Sequence, residues 1–249
     1  MMTNLTETSE QYVLEDGEGL IDLRGEGDEC GIIIENRPIA ITWPDGLGSV
    51  GQYIVRSRNR DGISDRLRAI REVANHGIRT GISLSSQISP LISLFATGVY
   101  TLEYWYEFYS HNVVWDKTWS ALDGMNVYPA CCQSTDEQID LIPTQAVQNL
   151  LSERIAHFEE SIKKGCRPVV FIAGVSNLDF AFVLDGHHKL RAYEKLQTLP
   201  SVVFIKRQHG QALHLTEGLA FLNRIREDKP PLSKHTWEQE YRRHKQNDP

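Results

Sequence analysis

Six residues, Asp185, Gly186, His187, His188, Lys189 and Arg191, place a carboxylate, a glycine, two imidazoles and two cations within seven positions. Together these groups suit an anion. Lys189 and Arg191 bring positive charge, and the imidazoles bring groups that titrate near neutral pH. Gly186 allows a ligand to approach the backbone closely. Asp185 could hold a metal ion or take a proton. A zinc site from Asp185, His187 and His188 fits less well, because ligands so close together depart from the usual zinc spacings and no partner pair is evident. A plainer reading gives the histidines a helix-capping or solvated role.

The flanking sequence says which elements must hold these groups. Phe180 to Leu184 is an apolar run that reads as a buried strand, and Asp185-Gly186 is a turn pair. Leu190, Tyr193 and Leu196 then recur every third residue, as on one face of a short helix. The segment therefore reads as strand, tight turn and helix. A helix start carries unpaired backbone N–H groups and the positive end of the dipole, which suits phosphate.

The surrounding pattern is regular. Ile139 to Pro143 is expected as a strand, and Thr144 is expected to cap a helix running to Lys164. Val147, Leu151, Ile155, Phe158 and Ile162 would form its buried stripe, and Gly165 would end it. Pro168 to Ala173 reads as a strand, with a turn from Gly174 to Asp179. The central helix reaches about Leu196, and Ser201 to Ile205 is a further strand. The order is β-α-β-β-α-β.

The first half is less periodic. Met1 to Glu10 reads as a flexible lead, with short apolar runs at Tyr12 to Leu14 and Leu20 to Leu23. Gly31 to Glu35 and Ile39 to Trp43, split by Asn36-Arg37-Pro38, have hairpin chemistry. Pro44 to Gly51 is expected as a loop. Ser64 to Asn75 reads as a helix closed by Gly77, with Arg66, Arg68 and Arg71 on a solvated face. Thr80 to Leu102 has no charged residue, but its Ser, Thr, Pro90 and Gly98 favour a buried segment over a membrane span. Within Pro90 to Tyr109, the second half is expected to be helical. Its aromatics read as core, since no Lys or Arg lies between Arg79 and Lys117 to make a nucleic-acid platform. Trp115, Trp119 and Asp123-Gly124 suggest a compact connection. Leu215 to Ile225 can form a helix, followed by a polar, mixed-charge end.

Composition narrows the classes. The chain has 249 residues, 41% of them hydrophobic, enough for one large or two small domains. A net charge of −7 argues against broad nucleic-acid binding. Cys30, Cys131, Cys132 and Cys166 include no CxxC pair, and the polar, acidic start is unlike a signal peptide. A reduced, cytoplasmic setting with no membrane partner is the expectation. The fold class expected is α+β: a mixed-sheet β-α-β-β-α-β core with a β-rich and helical N-terminal region. The expected divisions are 1–133, 134–215 and 216–249.

From about Ile139 to Ile205 the chain resembles the ParB/sulfiredoxin-like superfamily. The likeness lies in the strand ending at Pro143, the helix with Phe158-Glu159-Glu160-Ser161-Ile162-Lys163-Lys164-Gly165, Pro168-Val169-Val170, and Leu184-Asp185-Gly186-His187-His188-Lys189-Leu190-Arg191-Ala192-Tyr193. ParB proteins carry Gly-Glu-Arg-Arg at this turn, sulfiredoxins carry Gly-Cys-His-Arg, and free serine kinases carry Asp-Gly-His forms, the nearest to this one. The resemblance implies a nucleotide tri- or diphosphate with Mg²⁺, its phosphates on Gly186, His187, His188, Lys189 and Arg191. Asp185 would be metal ligand or base, and His187 or His188 acid or base. Position 187 is not the sulfiredoxin Cys, so cysteine chemistry is not implied; it is not the ParB Glu either, and the acidic charge is wrong for a partition protein, so chromosome segregation is not implied.

Two functions follow as expectations. One is a phosphotransferase or nucleotide hydrolase, in which charge stabilisation and positioning do most of the catalysis. The other is a non-catalytic module with a protein partner, as in an immunity or conflict system. A nuclease ranks third, because the acidic balance gives little purchase on a polyanion.

Overall fold

The computed structural model describes residues 6–26, 29–44, 51–56, 70–115, 126–129, 139–145, 147–176, 178 and 180–209. The expected loop at 45–50, Trp119, Asp123-Gly124, Cys131, Cys132 and everything after 209 lie outside the described residues.

Two sheets organise the α+β fold. The larger is mixed and seven-stranded, in the order β1 (Thr6–Leu14), β6 (Gly98–Trp105), β12 (Ser201–Arg207), β10 (Val169–Val175), β11 (Phe180–Asp185), β9 (Ile139–Pro143), β7 (Ser110–Val113). The smaller is antiparallel and five-stranded: β2 (Ile21–Glu26), β3 (Glu29–Ile34), β4 (Arg37–Pro44), β5 (Gly51–Arg56), β8 (Asn126–Pro129). Among the described residues, four α-helices form: α1 (Arg71–His76), α2 (Leu84–Ile92), α3 (Ser152–Lys163) and α4 (His187–Lys195).

The expected β-α-β-β-α-β order is present as β9, α3, β10, β11, α4, β12. The large sheet extends beyond it. β1 and β6 add to the free side of β12, and β7 adds to β9, so strands from before residue 134 complete this sheet. β10 and β11 are buried along most of their lengths, which explains their continuous apolar runs.

Each face of the large sheet has its own core. On one face, Tyr100, Leu102, Phe171, Phe182 and Ile205 pack with Ile21, Leu23, Ile32 and Ile34 of the small sheet and with Leu84, Ile88 and Leu91 of α2. On the other, Val170, Ile172, Val183 and Phe204 meet Leu190 of α4, and Ile155 and Phe158 of α3 close on Ala192. Apolar burial of this kind contributes roughly 25 cal/mol per Å² removed from water.

The β3–β4 hairpin forms as expected, but its turn is Glu35-Asn36, both at positive φ (51° and 62°), while Arg37 and Pro38 belong to β4. Gly77 closes α1 as expected. Three expectations are corrected. Residues 98–105 form a strand, not a helix. Tyr100, Leu102 and Tyr104 are buried in alternation with less buried neighbours, so period two outweighs the apolar density that suggested a helix. Thr6 to Glu10, expected within a flexible lead, belong to β1 and pair with β6. Thr144 does not cap a long helix: a 3-10 turn at Val147–Asn149 intervenes, α3 starts at Ser152, and Leu151 is half exposed instead of lying in the buried stripe. Among the described residues, no helix is long and apolar enough to cross a membrane.

Candidate functional site

The site begins where β11 stops. Gly186 has φ 94° and ψ 19°, the left-handed region, and it is the N-cap of α4. A Cβ there would stand 3.1 Å from Val170 Cα, against backbone that cannot yield cheaply. Conformation and space therefore both call for glycine. This bend sets the first turn of α4 against the start of β10.

The two imidazoles face the polypeptide. His187 Nε2 accepts a hydrogen bond from the Gln145 backbone N–H at 3.2 Å. Thr144 Oγ1 lies 3.3 Å from the same nitrogen and donates to the Val183 carbonyl at 2.6 Å. His188 Nε2 accepts from the Leu151 N–H at 3.1 Å, at the N-cap of α3. An acceptor Nε2 requires the neutral ring with its proton on Nδ1. Burial holds the His188 pKa below the usual imidazole range; Arg154 adds to this and Asp185 opposes it. The pair thus fastens both ends of the connection between β9 and α3.

Lys189 also turns inward. Its Nζ donates to the Ala74 carbonyl at 2.9 Å and the Val169 carbonyl at 3.1 Å, with Asp185 Oδ2 at 3.7 Å. Burial pushes its pKa down, while Asp185 works the other way. Arg191 pairs laterally with Glu194 at 3.0 Å and lies 6.0 Å from the Trp115 ring centre. Glu194 also accepts from the Trp115 indole N–H. The expectation that the Lys189 and Arg191 side chains are turned to phosphate is not met in this arrangement: carbonyls hold one and a carboxylate the other.

Backbone and Asp185 remain. Among the described residues, nothing accepts from the backbone N–H of His188 or Lys189, although both residues are buried. The first N–H groups of a helix have no intrahelical acceptor and are met by a cap, by water or by a ligand. Asp185, with 38% of its side chain exposed, borders this turn. No group of three or more His, Cys, Asp or Glu that could hold a metal occurs among the described residues. A single carboxylate does fit Mg²⁺, which commonly takes one or two carboxylates and fills its remaining positions with phosphate oxygens and water.

The sequence brought Asp185 to Arg191 together but missed Thr144, Gln145 and Leu151, which meet the imidazoles, and Ala74, which meets Lys189. Cys30 is in the core, where burial pushes its thiol up to about 12, and Cys166 is exposed on the turn after α3, away from the site. Compared with known proteins, the chain matches no family model, no curated protein and no solved structure.

Proposed function

We propose that this chain is a nucleotide-phosphate-binding protein of the ParB/sulfiredoxin-like type, working in a reduced, cytoplasmic setting. The first turn of α4 receives the phosphates, and Asp185 contributes a ligand to an accompanying Mg²⁺. The observation that carries this reading is the pair of first-turn N–H groups, at the buried residues His188 and Lys189, with no acceptor among the described residues. A phosphate oxygen would meet both the donors and the helix dipole. The carboxylate beside them disfavours a bare anion but suits one that arrives with a divalent cation. His187, His188 and Lys189 build the corner in this reading, and Arg191 sits at its side. Binding is better supported than general acid–base catalysis by His187 or His188, because each Nε2 lone pair is used by a backbone N–H.

Titration of the full chain with ATP, ADP and CTP, with and without Mg²⁺, in a calorimeter tests the proposal. Mg²⁺-dependent binding is expected, weakened about tenfold or more by Asp185→Asn, since charge-assisted contacts are worth roughly 1.5–3 kcal/mol. A folded protein that binds none of the three nucleotides refutes it. Joint replacement of His187, His188 and Lys189 is the poorer experiment, because it would also unfasten α1 and the β9–α3 connection.

The inward commitment of those three side chains favours a second reading, a non-catalytic module that acts through a protein partner. It predicts no nucleotide binding and a partner retained by Asp185→Asn.

A further inference from the structure

We propose that Lys189 is a latch through which occupancy of Asp185 controls the docking of α1. The idea takes its ligand, a phosphate with Mg²⁺, from the function proposed above, but the latch itself stands on separate contacts. Lys189 reaches from α4 through the interior to the Ala74 carbonyl, 115 positions away in sequence. Ala74 lies in the last turn of α1, where carbonyls lack helical partners. An ammonium there satisfies an orphan acceptor and suits the negative end of the dipole. The same Nζ holds Val169 of β10, and the Phe158 ring centre of α3 is 5.7 Å away.

Among the described residues, one carboxylate is paired with this buried cation, Asp185 at 3.7 Å. That distance is too long for a good hydrogen bond, so the pairing is a Coulombic balance and not a tight bridge. A buried ammonium facing carbonyls alone is poorly compensated. A divalent cation at Asp185 would draw the carboxylate's charge away from Lys189. An incoming phosphate would offer Nζ a stronger, ionised acceptor than the Ala74 carbonyl. Both changes act in one direction: the ligand loosens the hold on α1. Reciprocity then requires that anything releasing α1 favour the ligand.

Hydrogen exchange of the full-length protein, followed by mass spectrometry over residues 70–77, reads this directly. The Gly77 N–H, bonded to the Val73 carbonyl at 3.0 Å, lies within that peptide. Without ligand, Asp185→Asn should speed exchange there roughly fivefold or more, and Lys189→Met should do so further. In wild type, ATP with Mg²⁺ should act in the same direction, and in Lys189→Met it should add nothing. Unchanged exchange in ligand-free Asp185→Asn overturns the latch. So does bound nucleotide that leaves residues 70–77 unaffected in wild type. If no nucleotide binds, the proposed function fails, and the ligand-free Asp185→Asn comparison still decides the latch. That comparison also serves if Lys189→Met does not fold.

Discussion

At the start of α2, Glu10 of β1 places its carboxylate against the helix, accepting from the Leu84 and Ser85 N–H groups at 3.2 and 2.7 Å. Ser83 Oγ accepts from Ser86 at 3.3 Å. At the start of α4, a glycine occupies the cap position, and the N–H groups of His188 and Lys189 meet no acceptor among the described residues. The two helices have equal length, nine residues, so helix size does not set them apart. One start carries its anion within the chain; the other has none among the described residues. α3 lies between these cases, because a neutral imidazole, His188, takes its Leu151 N–H. What separates the three starts is the group that faces them: α2 has a carboxylate, α3 has an imidazole at its N-cap with Ser152 and Glu153 exposed beyond it, and at α4 the N–H groups of two buried residues meet no acceptor among the described residues.

The harshest way to break this comparison is to deform the open start. Gly186→Ala forces a side chain into the left-handed region and against Val170. A loss of about 2 kcal/mol is expected from the backbone conformation alone, read as a lower urea midpoint with an unchanged slope. Stability equal to wild type would mean that the bend can relax, and that the start of α4 is not fixed as described.

Next in size is removal of the built-in anion. Glu10→Ala leaves the Leu84 and Ser85 donors to water and should cost about 1 kcal/mol, the usual range for a lost helix-start acceptor. Glu10→Gln, which keeps an acceptor but no charge, should fall between. A Gln variant as destabilised as Ala would show that charge, and not hydrogen bonding, closes α2.

Sequence and structure agree where local chemistry decides and part where distant chain does. Gly186, Gly77 and Gly165 were legible because positive φ at a turn or helix end is a local demand. The Phe180-to-Leu184 and Ser201-to-Ile205 strands were legible because a strand buried on both faces is apolar without a break. Residues 98–105 misled because Tyr, Trp and Leu are dense there, and their alternation emerges only once β1 and β12 flank β6. Thr144 looked like a cap, yet its hydroxyl turns to Val183, 39 residues on. Lys189 looked like a phosphate ligand because the sequence carries no sign that Ala74 and Val169 converge on it. Types and spacing marked the corner. The direction each side chain takes depends on chain folded over it from far away.

His188 offers a milder probe, by pH. Its folded pKa lies below the ordinary imidazole value because of burial and Arg154. The unfolded chain therefore takes up the proton first, and stability rises with pH. The contribution is present above about 6.5, the unfolded value, and is lost as pH falls below that point through the folded pKa. A protonated ring would also present a donor to the Leu151 N–H. Urea midpoints at pH 7.5 and 5.5 should differ in wild type, and the difference should shrink in His188→Gln. An equal pH dependence in the variant would assign the effect to other groups.

The smallest expected effect is also the sharpest test of the closed start. Ser83 is exposed, its bond from the Ser86 N–H is long at 3.3 Å, and its 2.6 Å bond to Ser86 Oγ is exposed to water, so Ser83→Ala alone should cost about 0.5 kcal/mol, the low end for a cap. Ser83 and Glu10 serve adjacent donors of one helix turn, so their losses should not add. In Glu10→Ala, the Ser83 hydroxyl becomes the only remaining side-chain acceptor described for that turn, and its removal should cost more than it does in wild type. A double-mutant cycle measures this coupling. Strict additivity would mean that the two groups act independently. The start of α2 would then be two unrelated bonds and not a filled anion site, and α4 would lose its internal standard.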